Sequence, residues 1–265
     1  MIRIFAFVFM FLGSGAWAEN LKLAVTTSFH NSGLSDILLP AIKEDIDVEV
    51  QLLVVGTGQA LRLGEAGDVD AILVHSRAAE DAFVAAGYGT HRREIMYNDF
   101  VFIGPADDPA GIAEAPNAAD ALTRIAEAQV VFVSRGDDSG THKKELSLWE
   151  ASGASRGGDW YRPVGAGMGA SLNTAAGMDA YILADRASWL NFGNKAGLDL
   201  LFAGDPALFN QYAYIPVNPE RHAHVKADFA IALEDWLTSD RARELIDGYT
   251  INGQTLFTFN AVNPS

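Results

Sequence analysis

The sequence predicts a two-lobed α/β protein built on mostly parallel sheet. Short apolar runs alternate with stretches of helical period. Glycines close several of those stretches, and the same alternation starts afresh in the second half of the chain. Repeated strand–helix–strand units of this kind bury a parallel sheet between layers of helices. At 265 residues with 49% hydrophobic content, the chain can fill one large domain or two smaller ones.

Residues 21–26 read as a buried strand. Residues 32–45 read as a helix, with Leu34, Ile37, Leu38, Ala41 and Ile42 on one side. A strand follows at 48–55, and then a helix at 58–66 that Gly67 stops. Next come a strand at 71–74 and a helix at 78–86 closed by Gly87. The apolar run 100–103 ends at Gly104-Pro105, and a polar loop covers 107–117. The second series comprises helix 119–128, strand 130–133, helices 139–151 and 169–177, and a short element at 181–190. A strand at 212–217 ends at Asn218-Pro219, and the tail is helical over 223–237 and 240–248. These elements assign residues 19–103 and 216–265 to one lobe and 104–215 to the other, with crossovers near 102–105 and 214–217.

The N-terminus has the order of a secretory signal. Arg3 gives a positive start, an apolar run extends from Ile4 to Leu12, and Ala16-Trp17-Ala18 is a small-x-small cleavage pattern. The run falls short of the ~20 apolar residues a membrane span needs. Residues 1–18 are therefore expected to be cleaved, leaving Glu19 first. The chain has no cysteine, so it offers no thiol for a lipid anchor and no disulfide. The expected location is the periplasm, as a free protein, with a monomer as the default state. A formal charge of −15 argues against nucleic acid as a partner. It does not exclude a small anion, because net charge governs steering while a few local groups make a site.

Three loops share one design, in which an apolar strand runs into hydroxyl or glycine residues and a helix starts at once. They are Val25-Thr26-Thr27-Ser28, Val55-Gly56-Thr57-Gly58, and the stretch from Val133 and Ser134 through Arg135, Gly136, Asp137, Asp138, Ser139 and Gly140 to Thr141. In an open parallel sheet such turns lie at the carboxyl ends of the strands, where ligands bind. The helix that follows presents unpaired N–H groups and the positive end of its dipole. Hydroxyls add donors, and glycine lets the backbone come close. Taken singly, each loop reads as plain helix capping; three converging loops read as an anion site. Arg135 is the only cation within these stretches, and its forked guanidinium suits an oxyanion. An ion pair with Asp137 or Asp138 is the plainer reading, and an Asp can orient the Arg while other donors face the ligand. The first two loops hold no acid. That favours a fully ionised tetrahedral anion over phosphate, which keeps a proton and benefits from an acceptor.

These stretches carry a family resemblance. Thr26-Thr27-Ser28 with Ser32-Gly33-Leu34, Val55-Gly56-Thr57-Gly58-Gln59-Ala60-Leu61, and Met96-Tyr97-Asn98-Asp99-Phe100 leading into Gly104-Pro105-Ala106-Asp107 all match. The run from Ser134 to Glu145 is the most specific, and Gly167-Met168-Gly169-Ala170 and Trp236-Leu237-Thr238-Ser239 also fit. Across nearly the whole mature chain the sequence resembles the tungstate-binding proteins of the Tup-type ABC importer, which have the type II periplasmic binding protein fold. The resemblance implies tungstate capture without a cofactor or metal, delivery to a membrane permease with its ATPase, and lobe closure over the ligand. It also implies Thr27, Ser28, Thr57, Arg135, Ser139, Gly140 and Thr141 as donors. The helix entrance at Gly169 is a further candidate, with Ser134 and Asp137 supporting the site from behind. Phe29-His30-Asn31 departs from the small polar residue usual in relatives, and Phe29 either narrows the cleft or packs beneath it. Molybdate, sulfate and phosphate are the alternative ligands.

Other signals carry less. Gly165-Ala166-Gly167-Met168-Gly169-Ala170 can be forced into a dinucleotide fingerprint, but no clean strand–turn–helix unit opens a domain there. The six histidines show no metal spacing. A secreted hydrolase using Ser139 is the competing class. Asp138-Ser139-Gly140 lacks the nucleophile elbow, and His142, the only base nearby in sequence, points away from Ser139 along the helix.

Overall fold

The computed structural model describes residues 20–137 and 139–262. The expected signal peptide, its cleavage site and Asp138 lie outside the described residues.

The first half follows the expected alternation. It runs β1 (Asn20–Thr26), α1 (Thr27–Asn31), α2 (Leu34–Ile46), β2 (Glu49–Val55), α3 (Thr57–Ala66), β3 (Ala71–Val74) and α4 (Arg77–Ala85). A long strand, β4 (Arg93–Pro105), leads out of it. The second series is α5 (Ala118–Ala128), β5 (Phe132–Ser134), α6 (Gly140–Ser152), β6 (Tyr161–Pro163), α7 (Met168–Met178), β7 (Tyr181–Asp185), α8 (Arg186–Asn191) and β8 (Leu198–Phe202). Strand β9 (Phe209–Pro216) returns, followed by α9 (Ala227–Leu237), α10 (Asp240–Gly248) and the short strands β10 (Thr250–Ile251), β11 (Gln254–Thr255) and β12 (Thr258–Phe259).

Strands β2, β1 and β3 run parallel, and so do β6, β5 and β7. The sheet is more mixed than the periodicity implies. β9 runs antiparallel to β3 and β4, and β7 and β8 run antiparallel to β4. The connecting strands cause this, since they carry the chain between the two parallel sets. β4 pairs with β9 as far as Asp99 and with β7 from Phe100 onward. The exchange of partners thus falls at Asp99/Phe100, four residues before the 103/104 boundary read from the apolar run. The return begins with β9 at Phe209, ahead of the 215/216 boundary read from the sequence.

The alternation of β4 builds the interior. Val101 and Ile103 face a core that runs from the helices behind β1 to those behind β7, while Phe100 and Phe102 face a second core against α5 and α6. A third core lies between α3, α4 and the opposite face of the first sheet. At one corner Asp70 knits four elements. Its carboxylate accepts from Lys22 N at 2.7 Å and from Lys226 N at 2.8 Å, and its own N–H donates to Lys22 O at 2.9 Å. Its carbonyl accepts from Val217 N at 3.0 Å. Asp70 is 7% exposed, so these donors cannot turn to water. Asp70→Ala orphans two backbone N–H groups and is expected to lower the unfolding free energy by about 2–4 kcal/mol in urea titrations. A loss below ~0.5 kcal/mol would mean that water replaces the carboxylate.

Candidate functional site: a cavity at six helix N-termini

A cavity of about 250 Å³ lies between the carboxyl ends of the two sets of parallel strands. Six helices begin at its wall. Their N-cap residues are Thr26 (α1), Gly56 (α3), Ser76 (α4), Ser139 (α6), Gly167 (α7) and Asp185 (α8), and all six line it. The first turn of a helix leaves N–H groups without intrahelical acceptors, and the dipole adds partial positive charge there. The wall is therefore built of donors, a fit for a small anion.

The sequence-derived candidates hold different positions at the cavity. Thr27, Thr57 and Thr141 line the cavity, and among the described residues no protein group pairs with their hydroxyls. Arg135 and Gly140 line it as well. The Arg135 guanidinium is 11% exposed and fixed from behind: Nε donates to Ala166 O at 2.9 Å, and Nη2 pairs with Asp137. No described residue accepts from Nη1. Ser139 differs from the expectation of a hydroxyl donor. Its Oγ donates to Asp137 Oδ1 at 2.6 Å and accepts from His142 N at 3.1 Å, so its proton is already spent on the Asp and its lone pair on the cap. Gly169 also differs. It lies one residue inside α7 and off the cavity wall, where Gly167 and Met168 stand instead.

Support for Arg135 is a buried polar cluster. Ser134 is fully buried; its Oγ donates to Glu145 Oε2 at 3.0 Å and lies 3.0 Å from Tyr161 OH. Tyr161 donates to the other Glu145 oxygen at 2.7 Å, and Arg135 N reaches Glu145 Oε2 at 3.3 Å. Burial works against the charge on Asp137, yet bonds from Ser139 and Arg135 hold its carboxyl below the usual range. Gly136 makes the turn between them at φ 60°.

Sequence reasoning missed a second layer under the first loop. Ser28 Oγ lies 3.0 Å from His75 Nε2, 3.1 Å from Thr26 Oγ1 and 3.2 Å from Tyr212 OH. The His75 and Tyr212 rings pack with centroids 4.8 Å apart. Burial pushes the His75 imidazole down to about 4, so the ring is neutral at physiological pH. The same cause pushes the Tyr212 phenol up. His75 and Tyr212 carry no local motif: one follows β3 and the other sits inside β9. Phe29 is 3% exposed and packs beneath the cavity rather than narrowing it.

Lys143 adds a second cation to the wall, and Asp185 adds one carboxylate. Burial raises the Asp185 carboxyl, but both oxygens already accept from Ser188, one from N at 2.8 Å and one from Oγ at 2.7 Å. The acid caps α8 and is committed to that helix. A hydrolase built on Ser139 finds no base in His142, whose Nδ1 lies 3.4 Å from Ser134 Oγ and 3.6 Å from Glu145. Among the described residues no group of three or more His, Cys, Asp or Glu is placed to hold a metal.

Two α/β units that enclose a donor-lined cavity define a binding protein for a small anionic solute. Comparison with known proteins agrees. Residues 13–241 match the PBP superfamily domain. The tungstate-binding protein TupA of Peptoclostridium acidaminophilum is 49% identical over 246 residues, 91% of this chain and 86% of that one. The solved structure of tungstate-binding TupA from Desulfovibrio alaskensis superposes with a TM-score of 0.88 at 45% identity, covering 92% of this chain and all of that one. The structure described as the tungstate ABC transporter from Geobacter sulfurreducens gives a TM-score of 0.79 at 48% identity, covering 87% and 99%. The chain belongs to the PBP superfamily and, within it, to the family of the TupA proteins, a family of solute-binding proteins and not of enzymes.

The depressed His75 value makes a pH prediction. The unfolded imidazole titrates near 6.5 and the folded one about 4, so between these values the unfolded chain binds more protons. His75 thus contributes stability that is present above pH ~6.5 and lost as pH falls toward 4. His75→Gln is expected to flatten the fall of the urea midpoint between pH 7 and 4.5. An unchanged slope would place the acid sensitivity elsewhere.

Proposed function

We propose that the chain is the solute-binding component of an ABC importer and that its cavity takes tungstate. The observation that carries this reading is the convergence of six helix N-termini with Arg135 on one small cavity in a member of the TupA family. The proposed donors are the hydroxyls of Thr27, Ser28, Thr57 and Thr141, the Arg135 guanidinium, and backbone N–H groups at Gly140 and at the start of α7. Charge-assisted hydrogen bonds contribute about 1.5–3 kcal/mol each, so a few of them around a dry dianion give tight binding without a metal. Among the described residues the one carboxylate on the wall, Asp185, already accepts from Ser188 at both oxygens, which favours a fully deprotonated anion. Molybdate has the same charge and nearly the same shape, and it is the closest competitor.

The two halves act as lobes, joined through β4 and β9. An anion that bridges donors of both binds the closed form more tightly and shifts the population toward it. The closed form is the one a membrane permease, driven by its ATPase, receives. The protein works as a monomer in the periplasm, released by cleavage after Ala18. Mass spectrometry of the exported protein should find Glu19 as its first residue, and a retained leader would contradict that.

Titration calorimetry on ligand-free protein with tungstate, molybdate, sulfate and phosphate tests the ligand. Nanomolar tungstate binding, about −12 kcal/mol, is expected, with sulfate and phosphate far weaker. Preferred binding of phosphate or sulfate would keep the site and change its ligand. Arg135→Glu should abolish binding with the circular dichroism spectrum unchanged, and wild-type affinity in that variant would remove Arg135 from the site. Thr57→Val should weaken binding by about tenfold or more. No effect would take the α3 loop out of contact with the anion.

A further inference from the structure

Gly140 opens α6 with an ordinary helical backbone, so its conformation does not require glycine. Alanine is the better helix former by about 1 kcal/mol. Space is what excludes it. A β-carbon on Gly140 would fall 2.9 Å from His75 Cε1 and 3.4 Å from Nδ1. Carbon atoms pack at about 3.5–4.0 Å. The other glycines on the wall are not crowded in this way. At Gly56 and Gly167 a β-carbon meets nothing within 4 Å, and at Gly58 the nearest atom is Arg62 Nη1 at 3.6 Å. Gly140 is thus the wall glycine pressed by a side chain, and that side chain belongs to the opposite half of the molecule. His75 directly follows β3 of the first sheet, whereas Gly140 follows β5 of the second. The imidazole is also held in place. Ser28 Oγ lies 3.0 Å from its Nε2, and the Tyr212 ring backs it at 4.8 Å.

We propose that His75 is the closure stop of the cleft: its ring seats on Gly140, and the absence of a side chain there sets how far the two halves can approach. The inference rests on the proposed function, because it assigns a limit to closure over the anion. Gly140→Ala keeps the backbone N–H, so a loss of binding is not the loss of a donor. A β-carbon wedged against the ring holds the start of α6, with Thr141 behind it, away from an anion bound at Thr27 and Ser28. His75→Ala removes the obstacle and makes room for that carbon.

The test is a double-mutant cycle on the mature protein, with tungstate affinity and the radius of gyration by solution scattering as readouts. Gly140→Ala is expected to weaken tungstate binding by about tenfold or more and to reduce the contraction that tungstate causes. His75→Ala weakens binding on its own by loosening Ser28. In the His75→Ala background, Gly140→Ala should change affinity by less than about twofold, and the double variant should contract as far as His75→Ala alone. An equal loss in both backgrounds would overturn the proposal, because the β-carbon would then obstruct the anion and not the ring. Full contraction and unchanged affinity in Gly140→Ala would also overturn it while leaving tungstate binding intact. A wild-type protein that neither binds tungstate nor contracts would sink the proposed function itself, and the closure stop with it.

Discussion

Strand β4 is the constraint on which the rest of the structure depends. Its 13 residues serve two sheets in turn, with β9 and β12 on its two edges at one end and β7 and β8 at the other. Its alternating side chains fill separate cores, so neither sheet can be moved without disturbing the strand that also centres the other. The parallel strands on either side point their carboxyl ends at a common space. Thr26 and His75 follow from β1 and β3, and Arg135 and Asp185 from β5 and β7. Each of these strands leads, directly or through a short loop, into a helix, so the space is ringed by helix starts. The cavity is a consequence of how two parallel sets are joined, and its donors come from backbone that any sequence would supply. Side chains then refine it.

That origin explains how a chain with a formal charge of −15 presents a site for anions. Helix N-termini act within about one turn, while the acidic surface acts over distances that salt screens. Among the described residues, the acids nearest the cavity are also engaged by the protein. Asp137 pairs with Arg135 and accepts from the Ser139 hydroxyl, and Asp185 accepts two bonds from Ser188. Glu145 lies one layer deeper, where Ser134, Tyr161 and the Arg135 N–H surround it. Each carboxylate holds a donor-bearing element in position, and its acceptor capacity is spent on the protein.

Much of this was legible in the sequence, and the exceptions share a physical reason. The three loops were readable because strand, small residues and helix follow one another without a break. Only the apolar part of β4, 100–103, is legible, because Arg93, Glu94, Asn98 and Asp99 interrupt its first half; Arg93, Glu94 and Asp99 lie where the strand is less deeply covered, Asp99 paired with Arg186, and Asn98 is buried against Asn210. α1 escapes the reading because its five residues are too few to show a helical period, and Gly33 at φ 81° separates it from α2. Ser76 and Asp185 are N-caps like the others, but charged or bulky neighbours replace the small residues that signalled the first three loops. His75 and Tyr212 were out of reach altogether. They meet Ser28 across 47 and 184 residues of chain, and nothing local marks them.

The hidden layer also bears on how the site can bind without large rearrangement. Ser28 Oγ sits among Thr26, His75 and Tyr212, each an oxygen or nitrogen within 3.2 Å. Its position is fixed before any ligand arrives. Arg135 is likewise held by Ala166 O and Asp137, which spends two of its nitrogens and aims the third. Ordering a flexible side chain on binding costs about 0.5–1.5 kcal/mol, and an arginine free in solvent would sit at the upper end. Here that cost is met during folding, by bonds that also satisfy buried groups. A neutral His75 fits the same logic, because a charged imidazole in this position would have to be desolvated and would drop its acceptor. Preorganisation of this kind leaves the approach of the two halves as the main motion still to be made, and the contact that limits that approach becomes part of the affinity.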